Sequence, residues 1–161
     1  MNPVHGTGND TKAIRALIAE HAVFKGLAPQ YLELLAEVAM LKQFEQDELI
    51  FRESDPANRF YLILDGEVAL ESSAEGGRVF LQMIGADDVL GWSWLFPPYY
   101  WHFDARATRV TKAIFFYGTW LRENCDRDHD FGYEMMRRIV PVIIQRLQAA
   151  RRQIIDRQKS A

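Results

Sequence analysis

Between Glu48 and Tyr117 the chain is a series of short apolar stretches, each closed by a turn signal, and that punctuation restricts it to short strands folded tightly together. Glu48–Phe51 reads as extended, and the cluster Ser54-Asp55-Pro56-Ala57-Asn58 follows as a turn. Phe60–Leu64 is short, apolar and aromatic, as a buried strand is. Asp65-Gly66 turns the chain, and Glu67–Glu71 alternates again. Glu75-Gly76-Gly77 predicts a hairpin with Arg78–Ile84 as its return strand, and Gly85–Asp88 turns once more. After an aromatic loop, Arg106–Tyr117 supplies one or two further strands. Strands this short and this closely spaced predict a small antiparallel barrel or roll.

The flanks carry the other period. Ile14, Leu17 and Ile18 recur at helical spacing between Thr11 and His21. Pro29 suits the first turn of a second helix with Leu32, Leu35, Ala36 and Ala39 as its apolar stripe. At the other end Asp126, Asp128 and Asp130 precede a long helical segment, 131–158, and acidic residues suit the unpaired N–H groups of a helix start. Met136, Val140, Ile143, Leu147, Ala150 and Ile154 repeat with spacings 4-3-4-3-4, a heptad seam suited to pairing with a second helix. Pro141 lies within that seam and predicts a kink or a break into two helices. The expected organisation is a polar flexible tail at 1–10, then one α+β domain over 11–161. Its roll spans about 42–118, with C-terminal helices over about 119–158.

Composition narrows the function classes. With 161 residues and nearly half of them apolar, the chain is long enough for one sizeable core. A formal charge of −3 gives no overall basic footprint for nucleic acid. The single Cys125 excludes an intrachain disulfide and a four-cysteine cluster. The first twelve residues lack the basic-then-apolar pattern of a secretory signal, and no stretch approaches the roughly 18 apolar residues of a membrane span. A soluble, cytoplasmic protein with no membrane contact is the expectation.

The order helices, roll, helices resembles the cyclic-nucleotide-binding domain family, the effector domain of catabolite-activator and Fnr-type regulators. The stretch 50–70 carries the likeness best: Asp55, Tyr61, Ile63 and Gly66 fall in register with the family pattern, with Ser54 where the family has Gly. Asp88 and Gly91 match the Gly-Asp-x-x-Gly approach to the family's phosphate-binding cassette, with Asp87 replacing its first Gly. The resemblance runs over about 20–158. It implies a double-stranded, jelly-roll-like β-roll and a cassette whose backbone N–H groups face a cyclic phosphate.

The departures from the family bear on function. Trp92 stands where nucleotide-binding members place the Glu that holds the ribose. Aligned on Ala105, Phe103 stands at the family's phosphate-binding Arg and Asp104 at its Ser/Thr. Each lost charge-assisted contact costs about 1.5–3 kcal/mol, so ordinary cAMP or cGMP binding is disfavoured. Arg106, Arg109 and His102 are the candidate substitutes for the missing cation. No cofactor is expected.

Segment 92–103, WSWLFPPYYWHF, has seven aromatic Phe, Trp or Tyr residues in twelve. Three readings stand side by side: a packed satellite core, an aromatic-lined ligand pocket, and a surface for a partner. The candidate pocket residues are Gly91, Trp92, Ser93, Trp94, Trp101, His102, Phe103, Asp104 and Ala105. A calcium loop at Asp126–Asp130 lacks its Gly and its Glu in position, and neither Cys125 nor His102 has the company a haem ligand needs. No metal site is expected, and no nucleophile–base spacing suggests an enzyme.

The resemblance implies a non-catalytic regulatory or sensor module. A small-molecule ligand or partner at the cassette would shift a hinge near Gly118–Cys125 and move the C-terminal helix, with a homodimer through that helix. In the family's regulators a helix-turn-helix follows the long helix; with the sequence ending at Ala161, direct DNA binding is not expected. Two alternatives stay open: a transcriptional regulator, or fragment of one, without its helix-turn-helix, and a protein-interaction scaffold whose pocket is filled.

Overall fold

The computed structural model describes residues 8–161. Helix α1 spans Gly8–Glu20 and α2 spans Pro29–Val38. Of the expected tail 1–10, residues 1–7 lie outside the described residues, while Gly8, Asn9 and Asp10 belong to α1. Pro29 sits in the first turn of α2, where its missing N–H costs nothing, and Leu32, Leu35 and Ala36 are buried as the stripe requires. Ala39 ends the helix in extended conformation instead of extending the stripe.

Eight strands follow: β1 Met40–Phe44, β2 Leu49–Phe51, β3 Arg59–Asp65, β4 Glu67–Ala74, β5 Gly77–Gly85, β6 Val89–Leu90, β7 Asp104–Ala107 and β8 Thr111–Tyr117. They form two four-stranded sheets of order β1-β8-β3-β6 and β2-β7-β4-β5, every pairing antiparallel. Glu75-Gly76 closes the predicted hairpin, with Ala74 opposite Gly77. Asp65-Gly66 does something else: β3 and β4 do not pair, so this turn is a corner carrying the chain from one sheet to the other. Gly66 is required there. Its φ is 114°, and a Cβ would lie 2.5 Å from the Thr111 Cα. Strands β1 and β6 are short or adjoin helix, which is why their sequences gave no separate signal.

Strand β3 explains the two cores. Phe60 and Leu62 point to the helices, where they join Ile18, Phe24, Leu35, Phe131, Met135 and Ile139. Tyr61 and Ile63 point into the roll, among Phe44, Ile50, Phe51, Val68, Leu70, Leu90 and Phe115. A strand covered on both faces reads as a continuous apolar run rather than an alternation.

Helix α3 spans Gly118–Arg127 and α4 spans His129–Lys159, with only Asp128 between them. Asp128 Oδ1 accepts from the N–H groups of Asp130 and Phe131 at 3.0 and 3.1 Å, so it caps α4. Pro141 does not break the segment, as a split into two helices would require; α4 runs through it as one element. The exposed position of Pro141 keeps its ring out of the core. No helix among the described residues is long and apolar enough to cross a membrane.

Candidate functional site: the cassette and its covering helix

The cassette starts at Gly91, with φ 89°, a conformation that side chains resist. Space is short as well. A Cβ at Gly91 would lie 2.8 Å from Cη2 of Trp101 and 2.9 Å from the Arg59 carbonyl. A single 3-10 turn, Trp92–Leu95, follows and sends its side chains in different directions. Trp94 is fully buried in the helical core, its ring 5.6 Å from Phe60. Ser93 is buried, and Trp92 is half-buried with its ring 6.3 Å from His102.

The loop beyond is pinned from α3. Arg122 donates to the Trp94 carbonyl at 2.7 Å and lies 4.1 Å over the Tyr99 ring, a cation–π contact. The chain then pairs with the turn after β2: Ala57 N–H donates to Tyr99, Trp101 N–H to Asp55 and Ser54 N–H to Trp101. This ladder turns the Trp101 side chain inward. Its indole stacks on Phe51 with centroids 3.9 Å apart, and Phe103 lies 5.9 Å from the same Phe51 ring. Gly91, Trp101, Phe103 and Ala105 thus meet in the roll interior, where all four are buried.

The other predicted site residues lie elsewhere. Asp104 and Arg106 alternate outward on β7 while Ala105 and Ala107 point in. Asp104 Oδ1 accepts from the Glu53 N–H at 2.7 Å. Arg106 donates to the Asp47 carbonyl at 2.9 Å and lies 3.6 Å from Glu71. Arg109 is paired with Asp65 at 3.7 Å in solvent. Neither arginine therefore faces the roll interior as a stand-in for the missing cation. His102 is exposed and, with Glu53, Ser54, Tyr100 and Trp101, lines an open outer cavity of about 410 Å³.

Two functional-looking residues escaped the sequence reading. His21 is buried between α1 and the turn leading into β6. Its Nε2 donates to the Ile63 carbonyl at 3.2 Å and its Nδ1 accepts from the Val23 N–H at 3.3 Å. Burial pushes its pKa down, against the opposing pull of Asp87 and Asp88. Arg146 of α4 donates from Nη2 to the Val89 carbonyl on β6, two residues before Gly91. Burial drives its pKa down to about 10, with Asp88 opposing. Its Nη1 is buried without a hydrogen-bond partner. The available signal was its place in a second helical series, 135-139-142-146, one residue behind the seam.

The seam residues of α4 divide. Val140 and Ile143 are half-buried, Ile143 against the helical core. Met136, Leu147, Ala150 and Ile154 are exposed, Leu147 by 69% and Ile154 by 60%. The predicted hinge region Gly118–Cys125 is regular helix. It abuts the cassette directly, since a Cβ on Gly118 would lie 2.7 Å from the Trp94 Cβ.

Residues 41–128 match the family model for the cyclic nucleotide-binding domain. The chain belongs to that family. A CRP-like cAMP-activated global transcriptional regulator of Mycobacterium tuberculosis is 28% identical over 83 residues, which are 51% of this chain and 37% of the regulator. The match thus spans little more than a third of that curated relative. Among solved structures, a candidate cyclic nucleotide-binding protein from Geobacter metallireducens GS-15 superposes with a TM-score of 0.74 at 25% identity, covering 85% of this chain and 97% of that one. A cyclic nucleotide-binding domain from Methylobacillus flagellatus KT gives a TM-score of 0.77 at 16% identity over 96% of this chain and 87% of its own. The fold class read from the sequence, an antiparallel β-roll flanked by helices, stands.

Proposed function

We propose that this chain is a non-catalytic regulatory module that does not take cAMP or cGMP in the ordinary way, because its own aromatic side chains fill the roll where the cassette faces inward. One observation carries this reading: the Trp101 ring abuts Gly91 and stacks on Phe51, so indole carbon stands against the backbone that starts the cassette. The surrounding groups agree. Phe103 offers no charge, and Arg106 and Arg109 are held outside.

The output element in this reading is α4, acting in a cytoplasmic homodimer. Its outward face leaves Ile144, Leu147 and Ile154 in water, and an exposed apolar stripe at heptad spacing suits a second copy of the same helix. The closeness of Gly118 to Trp94 gives the cassette a rigid path into α3 and α4.

The test is calorimetric titration and thermal unfolding with cAMP and cGMP. Ligand at a hundred times its dissociation constant raises stability by about 2.7 kcal/mol. No heat and no rise in melting temperature at millimolar nucleotide is the expected result. A saturable shift with either nucleotide overturns the filled-pocket reading.

A further inference from the structure

Beyond Pro141, helix α4 turns the wrong residues toward its own roll. The half-buried residues of that stretch are Val142, Ile143, Arg146, Ala149 and Gln153. After the first two, the inward face is a cation, a methyl and an amide. The outward face of the same stretch carries Ile144, Leu147, Ile154 and Ile155, between 39% and 69% exposed. Among the described residues, two hydrogen bonds tie this stretch to the sheets: Arg146 to the Val89 carbonyl, and Gln153 Nε2 to the Leu81 carbonyl at 3.0 Å.

Arg146 is an inefficient anchor. One neutral carbonyl accepts from its Nη2, while its Nη1 is buried with no acceptor. Asp88 is the acidic group that favours its charge from the roll side, and burial outweighs that help. Replacing a poorly satisfied buried charge by an apolar side chain of similar volume is often neutral or stabilising. An apolar residue at 146 would continue the stripe that Met135, Ile139 and Val142 begin. Pro141 adds a weak point at the root of the stretch, because it cannot donate the N–H that would bond the Arg137 carbonyl.

We infer that Arg146 is a release clasp: it keeps residues 142–159 of α4 docked on the roll weakly enough to detach about Pro141. Its acceptor lies on β6, which runs straight into Gly91, so a displacement at the start of the cassette reaches this bond through two residues of backbone. The inference rests on the proposed role of α4 as the output element and names what holds that element in check.

The test is amide hydrogen exchange of the full chain in a Leu147→Asp background, which removes self-association from the readout. Arg146→Met and, as a second apolar replacement, Arg146→Leu are expected to slow exchange in 148–159 by about tenfold. Asp88→Asn keeps an oxygen for the Gly85 N–H but removes the carboxylate charge, and is expected to speed exchange in the same peptides. Peptides from β3 and β8 report whether the roll is intact. Unchanged or faster exchange in 148–159 with both apolar variants, the roll still protected, overturns the clasp and makes Arg146 a plain strut. This outcome is independent of nucleotide binding and of dimerisation, so failure of the functional reading leaves it separately readable.

Discussion

Trp101 and Phe51 stack inside the roll with ring planes 13° from parallel and centroids 3.9 Å apart. Trp101 is 1% exposed, so its removal leaves a hole lined by Phe51, Phe103 and Gly91. Trp101→Ala is expected to cost about 3–5 kcal/mol in chemical denaturation. Trp101→Phe keeps a stacking ring and removes an indole N–H that has no partner, so its cost should stay under about 1.5 kcal/mol. Equal losses for the two variants would mean that the ring stack is not what holds the interior.

Gly91→Ala tests the approach of that indole to the backbone. The substitution meets a positive φ and the Trp101 ring together. A loss of about 2 kcal/mol is expected. In the Trp101→Ala background the clash with the ring should vanish, leaving the backbone strain and the 2.9 Å approach to the Arg59 carbonyl. A double-mutant cycle read by urea denaturation measures the coupling; additive losses would refute the contact.

Much of this arrangement is legible in the sequence, and the reasons for the remainder are physical. Turn residues located the roll because Gly66 and Gly76 mark reversals that few other residues tolerate. The same turns do not say which strands pair, so Asp65-Gly66 reads as a turn without showing that it is a corner between sheets. The aromatic count of 92–103 predicted a packed, lined or docking segment but not its division. Trp94 goes to the helices from its 3-10 turn, whereas the backbone ladder at residues 99–101 directs Trp101 into the roll, and that ladder needs a partner over forty residues away. Arg146 was easy to pass over for another reason, despite its place in the series 135-139-142-146. A basic residue near a helix end reads as solvated, and only the path of α4 across β6 brings it under cover.

His21 gives a pH dependence with a definite sign. Its folded-state pKa lies below the ordinary 6.5, with burial the main cause. The unfolded chain therefore binds more protons in the interval between the two values. Stability is complete above pH 6.5 and falls as the pH drops from there through the folded-state pKa. Urea midpoints measured from pH 8 to pH 5 should decline across that interval. His21→Gln should flatten the decline, because the group that takes up the proton on unfolding is gone. An unchanged slope would assign the decline to other groups.

Asp128 sets where α4 begins. It accepts from two N–H groups of the first turn, and Asp128→Ala leaves both without a side-chain acceptor. The expected cost is about 1 kcal/mol, read as a lower melting temperature, with Asp128→Asn recovering most of it. If Asn recovers nothing, charge near the helix dipole matters more than the cap geometry.

Leu147 and Ile139 separate what α4 does outside from what it does inside. Both are apolar and they lie eight residues apart on one helix. Ile139 is fully buried against the helical core, whereas Leu147 is 69% exposed. A charge at Leu147 breaks no intramolecular packing, so Leu147→Asp should change monomer stability by no more than about 0.5 kcal/mol. Ile139→Ala should cost about 2–5 kcal/mol, because it empties a closed site. Self-association should show the opposite ranking. Sedimentation velocity over a range of concentrations is expected to show a dimer for the wild type and a monomer for Leu147→Asp, since a buried unpaired carboxylate in a helix–helix seam is costly. Ile139→Ala should keep the dimer at temperatures where it remains folded. Identical profiles for the wild type and Leu147→Asp would leave the outward stripe without a second copy as its partner, and the output of this module would then have to run through a different surface.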